Sequence, residues 1–457
     1  MIFSTIDFIY PVLAETALID ETVIFSALLI AALIIFLTSQ LLGELCVWLK
    51  LPPVLGQLVG GIVLGVSVLK ILVLAEGEVA INPSIIELIR WTSGASAAEA
   101  ATAYQHQLTG IFEGAANLGV IALLFLIGLE SDFESLLKVG PKAAIVAGAG
   151  VVLPFVGGTA GLIALFGTPL LPAIFGGAAL TATSIGITAK VLKELGQLQS
   201  EEGQIIIGAA VLDDLLGILV LALVVSLVKE GSINVAGLGV LLLSTTAFVA
   251  GVALLRLPII RAFTVITDKL QSEDTLLVSA IVFALFMAAI ANAIHLEAIL
   301  GAFAAGVILS GLPHRHHLLE RFEPIAGLLA PIFFIVVGAK TDLSVLNPAN
   351  PDSAEGLWIA SFLIIIAVLG KVAAGYFIPN SGALNRLAIG LGMVPRGEVG
   401  LVFVGIGSSI GILSDGLTAA IVLMVVATTL LAPLLLRFAL PEEATSSPAI
   451  TEAVSDS

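Results

Sequence analysis

Residues 208–223 read GAAVLDDLLGILVLAL. The adjacent Asp213 and Asp214 sit in the middle of an apolar run from about 203 to 228, which at ~1.5 Å per residue is long enough to cross a bilayer. A carboxylate in hydrocarbon costs at least ~3 kcal/mol on insertion scales, so each needs a partner, water or a function. Ala210, Asp213, Asp214 and Gly217 fall at helical spacing, giving a small, acidic face that belongs against protein or water. Mutual repulsion and desolvation both favour protonation of at least one of the two acids. Deprotonated, the same oxygens are hard ligands suited to a small alkali cation, so proton and cation would compete for one site. The competing reading is a salt bridge that merely joins helices, but two adjacent acids exceed what one bridge requires.

Outward from this run the chain repeats the same apolar grammar. Of 457 residues 59% are apolar and 11% charged, against roughly 25% charged in soluble domains, which excludes a soluble globular protein. Apolar runs between polar breaks fall at about 23–49, 52–74, 114–134, 141–166, 169–192, 203–228, 233–256, 275–295, 297–312, 321–346, 356–379, 384–411 and 416–438, predicting an all-α polytopic membrane protein with thirteen spans. An odd count puts the termini on opposite sides. Lys50, Lys138, Lys142, Lys190, Lys193, Arg256, Arg261, Lys269, Arg315, Arg321, Arg386 and Arg437 follow odd-numbered spans or flank them, while Lys70, Arg90 and Lys229 lie on the other side. That asymmetry predicts an extracytoplasmic N-terminal segment (1–22) and a short, disordered cytoplasmic tail (441–457). The connection from about 75 to 113 is the one long loop, in which 83–91 is amphipathic enough to lie at the interface.

The net charge of −16 argues against nucleic acid, and the single Cys46 excludes an intrachain disulfide or thiolate cluster. P-loop, zinc and catalytic-triad patterns do not occur, so the chain reads as a secondary transporter without cofactor rather than an enzyme.

Buried charge elsewhere is sparse. In IIIAVLGKVAAGY (364–376), Lys371 lies too deep to snorkel and is the natural counter-ion for the aspartate pair. One aspartate should pair with Lys371 and the other carry the ion; the flanking residues do not say which. Lys340, nearer a span end and followed by Asp342, suits a local ion pair. Two spans carry helix-breaking patterns: GGAALTATSIGIT (176–188), rich in hydroxyls, and GLGMVPRGEVG (390–400), where Pro395 and Gly397 flank Arg396. Arg396 and Glu398 read as a charge pair supporting the second break. Spans four to six and eleven to thirteen are antiparallel triples, each with its broken helix in the middle, the pattern of an inverted-repeat transporter with its site at the midplane. Asn117 and Asn292 read as interhelical glue, and Gly56, Gly60, Gly61 and Gly65 as a close-packing face.

PPVLGQLVGGIVLG (52–65), LLFLIGLESDF (123–133), TATSIGITAKVLKELG (181–196), VLDD (211–214), ILGAFAAGVILS (299–310), PIFFIVVGAKTDL (331–343) and GMVPRGEVGLV (392–402) together resemble the monovalent cation:proton antiporter-2 family, especially its NapA-type bacterial Na+/H+ antiporters. The resemblance implies an NhaA/NapA-like fold with two broken crossing helices and a homodimer working by elevator-like alternating access. It implies a transmembrane domain over 23–440, divided into core spans (about 114–228 and 321–438) and dimerisation spans (about 23–74 and 233–312). By the same resemblance Asp214 is the principal ion and proton carrier, Asp213 pairs with Lys371, and Thr183 and Ser184 line the site. The implied activity is electrogenic exchange of Na+ or Li+ for H+ in a bacterial plasma membrane or an internal, thylakoid-type one. K+/H+ exchange and a gated cation channel are the alternatives.

Overall fold

The computed structural model describes residues 19–49, 51–74, 81–131, 133–230, 235–269, 275–313, 315–340, 351–379, 384–397, 400, 403–404, 406–407 and 410–440. All regular secondary structure among them is helical. In order the helices are α1 (Glu21–Trp48), α2 (Pro53–Leu64), α3 (Pro83–Ser93), α4 (Ala97–His106), α5 (Glu113–Glu130), α6 (Phe133–Phe166), α7 (Leu170–Ala179) and α8 (Ile185–Glu194). They continue with α9 (Glu201–Glu230), α10 (Val235–Lys269), α11 (Thr275–Ala293), α12 (Ala298–Leu309), α13 (Arg315–Ala339), α14 (Pro351–Gly375), α15 (Arg386–Gly392) and α16 (Asp415–Ala439). Nine helices among the described residues are long and apolar enough to cross a membrane, and α2, α7 and α12 are shorter apolar helices. The chain is a multi-pass integral membrane protein. Residues 1–18 and 441–457, where most of the N-terminal segment and the whole tail were expected, lie outside the described residues.

Two elements differ from the apolar pattern. A π-helical turn, Gln107–Phe112, joins α4 to α5, so one helix runs from Ala97 to Glu130 and the last part of the expected loop, 97–113, is helix continuous with the expected span. A capping box starts it: the Ser96 hydroxyl accepts the Glu99 N–H at 3.3 Å and the Glu99 carboxylate accepts the Ser96 N–H at 2.9 Å. Likewise α10 continues through Arg256 and Arg261 to Lys269, residues that polarity had assigned to a loop.

The helices pack as two groups. α6, α7, α9, α14, α15 and α16 pack on one another, and α8 packs against α9 and α16 of this group and against α5 of the other. This first group contains both of the triples that the sequence reads as inverted repeats. The second group is built on α1, α2, α5, α11, α12 and α13. α5 and α13, which the resemblance grouped with the core spans, pack on each other and on α12 and α2. The reason is backbone-to-backbone approach, since lipid tails are as apolar as leucine and close contact is what holds membrane helices together. A Cβ on Gly61 would lie 2.2 Å from the Ile335 carbonyl oxygen, and one on Gly338 would lie 2.2 Å from that of Leu58. α2 thus spends its small-residue face inside the protomer, against α13 and α1.

Candidate functional site

Consecutive residues on a helix point about 100° apart, so the two aspartates of α9 face different neighbours. Asp213, wholly buried, turns to α14, where Lys371 Nζ donates to its Oδ1 at 2.8 Å. Asp213 Oδ2 has no hydrogen-bond partner among the described residues. Lys371 is itself fully buried, and its stem lies over Gly150 of α6, where a Cβ would come within 3.2 Å of Nζ. Removing one partner of such a buried pair leaves an uncompensated charge, a loss of ~3–5 kcal/mol. Asp214, also buried, faces the gap between α7 and α8.

That gap is a real break in the helix. α7 ends at Ala179 and α8 begins at Ile185. The matching break follows α15 at Gly392, and the two unwound stretches cross and bond to each other. The Ser184 N–H donates to the Pro395 carbonyl at 2.8 Å, the Thr183 hydroxyl to that of Met393 at 2.9 Å and the Thr188 hydroxyl to that of Gly392 at 2.8 Å. Freed backbone groups are thereby satisfied within protein, the condition for unwound backbone at membrane depth. Gly397 is required by this crossing, because a Cβ there would stand 2.9 Å from Ser184 Oγ. Arg396, fully buried, donates from Nη1 to the Ala182 carbonyl at 2.8 Å, and the Thr429 hydroxyl donates to the Arg396 carbonyl. The sequence paired Arg396 with Glu398; Glu398 lies outside the described residues, and the bond to Ala182 ties Arg396 to the opposite break.

Beside the crossing is a cavity of about 10 Å³, lined by Thr183, Ser184, Asp214, Glu297 and Gly397 together with Ala182, Ile185 and Ile299. This is at the threshold for one water. Thr183, with its proton committed to Met393, turns oxygen lone pairs to spare, as a desolvated cation needs. Among the described residues no group of three or more His, Cys, Asp or Glu side chains could hold a metal ion. A cation beside Asp214 would therefore draw on carboxylate, hydroxyl and carbonyl oxygens together.

A second cavity of about 400 Å³ adjoins this one between the two helix groups. Glu113, Asn117, Asn292, Glu297 and Lys340 line it from one group, Arg396, Gly397 and Thr429 from the other. Asn117 and Asn292, read from sequence as glue, face this space. Lys340 pairs with Glu113; its expected neighbour Asp342 lies outside the described residues. The opposite face, which carries most of the Lys and Arg, is closed between the groups: Lys193 of α8 bonds Glu130 of α5 at 2.6 Å and Glu323 of α13 at 2.9 Å. Glu113 and Glu297 escaped the sequence reading because an acid at the end of an apolar run looks like a helix cap.

Comparison with known proteins places this geometry in a family. The model described as "Sodium/hydrogen exchanger, transmembrane" matches residues 28–441. The high-affinity Na+/H+ antiporter NhaS3 of Synechocystis is 49% identical over 433 residues, covering 94% of each chain. The Na+/H+-K+ antiporter GerN of Bacillus cereus is 31% identical, over 89% of this chain and 94% of its own. Among solved structures, the sodium proton antiporter MjNhaP1 of Methanocaldococcus jannaschii shares the fold with a TM-score of 0.61 over 92% of this chain and 99% of its own, at 15% identity.

Proposed function

Because the chain belongs to the family of transmembrane sodium/hydrogen exchangers, we propose that it is a secondary antiporter exchanging Na+ (or Li+) for H+, with cation and proton competing for Asp214. The observation that carries this reading is the position of Asp214, buried where two broken helices cross and facing a cavity that adjoins the large one between the helix groups. Protonated, Asp214 is neutral and tolerates the dry site; a cation arriving from the large cavity displaces the proton and takes the carboxylate with the Thr183 and Ser184 oxygens. Asp213 and Lys371 neutralise each other beside it while they stay paired; electrogenic exchange requires a second proton per cation, and Lys371 is the group that can release it when the cation draws the Asp213 carboxylate away. Thr183, Ser184, Asp213 and Asp214 are thus the ion- and proton-binding set, Lys371 the compensating charge, and Arg396 with Glu398 the support of the break.

Alternating access is a movement of the first helix group against the second. The second group, with the α5 and α13 packing described above, is the static scaffold and carries the homodimer contact. The exposed apolar sides of α1 and α10, including Leu29, Leu33, Leu37, Val240, Leu243 and Leu254, face lipid or the second copy. The positive-inside asymmetry puts the large cavity on the outside of a bacterial plasma membrane and the Lys193 face in the cytoplasm.

The test is a pH-gradient assay in proton-loaded inside-out vesicles. Addition of Na+ should dissipate the gradient, with Li+ acting similarly. Silence with every alkali cation would overturn the reading. A response to K+ alone would favour K+/H+ exchange, toward which the printed name of GerN points, and cation current without proton movement would favour a channel.

A further inference from the structure

We propose that Glu297 is a positioning residue that gathers the cation for Asp214 on one face of the membrane only, an inference that rests on the exchange reading above. Three residues line both the 400 Å³ and the 10 Å³ cavities: Glu297, Ile299 and Gly397. They form the neck between the entrance and the carrier, and Glu297 is the one charged side chain among them.

Its local setting puts the carboxylate at the start of a helix. Glu297 is the N-cap of α12 with extended backbone, φ −68° and ψ 137°, yet its side chain makes no capping hydrogen bond. The turn before it passes through His295 at φ 64°, a left-handed conformation that non-glycine residues rarely adopt, so the chain is bent sharply just where Glu297 enters the neck. The positive end of α12 favours negative charge at this point. Asn117 and Asn292 add amide oxygens to the same cavity, and Lys340, the cavity's lysine, is paired with Glu113. A cation entering this space exchanges water for these oxygens in two stages, first at Glu297 and then at Asp214. Arg396 also lines the large cavity, but at the neck itself Glu297 is the charged side chain, and a carboxylate in a low-dielectric passage raises the local concentration of cations.

Sidedness follows from which group carries each acid. Asp214 belongs to the first helix group and Glu297 to the second. When one group moves against the other, Asp214 leaves Glu297 behind, so the neck carboxylate acts on cations entering through the large cavity and not on those entering from the Lys193 face.

The test uses wild-type, Glu297→Gln and Glu297→Asp proteins in right-side-out and inside-out vesicles, with Na+ as the probe. Glu297→Gln should raise the Na+ KM about three- to tenfold when Na+ enters from the large-cavity face, change kcat less, and move the KM from the other face least. Glu297→Asp should recover most of the loss. Raising ionic strength with choline chloride should narrow the gap between wild type and Gln variant, because the effect is electrostatic. An unmoved KM at the cavity face, or an equal rise at both faces, overturns the inference while wild-type exchange stands. Absence of exchange in the wild type would instead bring down the functional reading and this inference with it.

Discussion

The junction between the two helix groups has opposite characters at its two ends. At one end a 400 Å³ cavity separates the groups, and its lysine pairs with Glu113 inside a single group. At the other, Lys193 of the first group reaches Glu130 and Glu323 of the second and holds them together. Asp214 lies at depth between these ends. The same lysine–glutamate chemistry therefore does two different things, depending on whether the pair lies within a group or bridges the boundary between the two. One end of the junction holds a cavity and the other is tied by ion pairs.

The largest effect is expected where the two ends meet. Asp214→Asn keeps the shape of the side chain and removes its charge and its exchangeable proton. Exchange should fall to background in the vesicle assay, for Na+ and Li+ alike, with the protein still inserted and folded. Retained exchange would break the comparison outright, because the cavity and the sealed face would then flank a residue with no part in transport. Lys371→Ala is a milder variant of the same test. It leaves Asp213 buried without its cation, so the pH profile and stability should change while Asp214 still exchanges.

Next comes the rigidity of the second group, which the comparison takes as fixed. Gly338→Ala forces a Cβ to within 2.2 Å of the Leu58 carbonyl oxygen, with backbone on both sides and nothing flexible to yield. Overpacking of this kind costs about 1–3 kcal/mol or more, and should lower the Tm of the detergent-solubilised protein by several degrees. An unchanged Tm would mean that α2 and α13 slide on each other, and that the boundary between groups has been drawn in the wrong place.

How far these features were legible in the sequence depends on whether their signal is local. Asp213, Asp214 and Lys371 stand out because charge in an apolar run is conspicuous, and the breaks at 181–184 and 393–397 because hydroxyls, Pro395 and Gly397 interrupt it. The all-helical fold follows from the same runs. The start of the helix that runs to Glu130, from Ala97 to Phe112, was hidden by the polar stretch around Gln105, His106 and Gln107, which polarity alone reads as loop. The membership of α5 and α13 was hidden for another reason: it rests on contacts such as Gly61 with Ile335 and Gly119 with the Leu329 carbonyl, between residues more than two hundred positions apart. Glu297 and Glu113 were invisible because only the assembled cavity distinguishes them from ordinary helix-end acids.

Lys193→Gln tests the closed end directly. Its pairs are partly exposed, with the lysine side chain 20% and the Glu323 side chain 61% accessible, so each contributes ~0.3–0.7 kcal/mol. Losing both should shift the balance between the outward- and inward-open states by about three- to tenfold. A cysteine at Ile121 in the large cavity, in a Cys46→Ser background, reports the shift. Its labelling by an impermeant thiol reagent from the cavity side should slow in the Lys193→Gln protein. Unchanged labelling would mean that the bridge does not set the state.

Lys340→Gln should have the smallest effect, and its smallness is the informative part. The pair with Glu113 joins the end of α13 to the start of α5, both in the second group, so it makes no differential contribution to the two states and cannot shift their balance. Both side chains are also about a third exposed, which leaves little net energy in the bond. What the substitution does change is the field at the cavity mouth, where a lysine opposes an entering cation and its removal frees the Glu113 charge. Labelling at Ile121→Cys should therefore stay at the wild-type rate, while the Na+ KM from the cavity face falls by no more than about twofold. A slowed labelling rate comparable to that of Lys193→Gln would show that α5 and α13 do not move as one body, and the distinction between a pair inside a group and a pair across the boundary would fail.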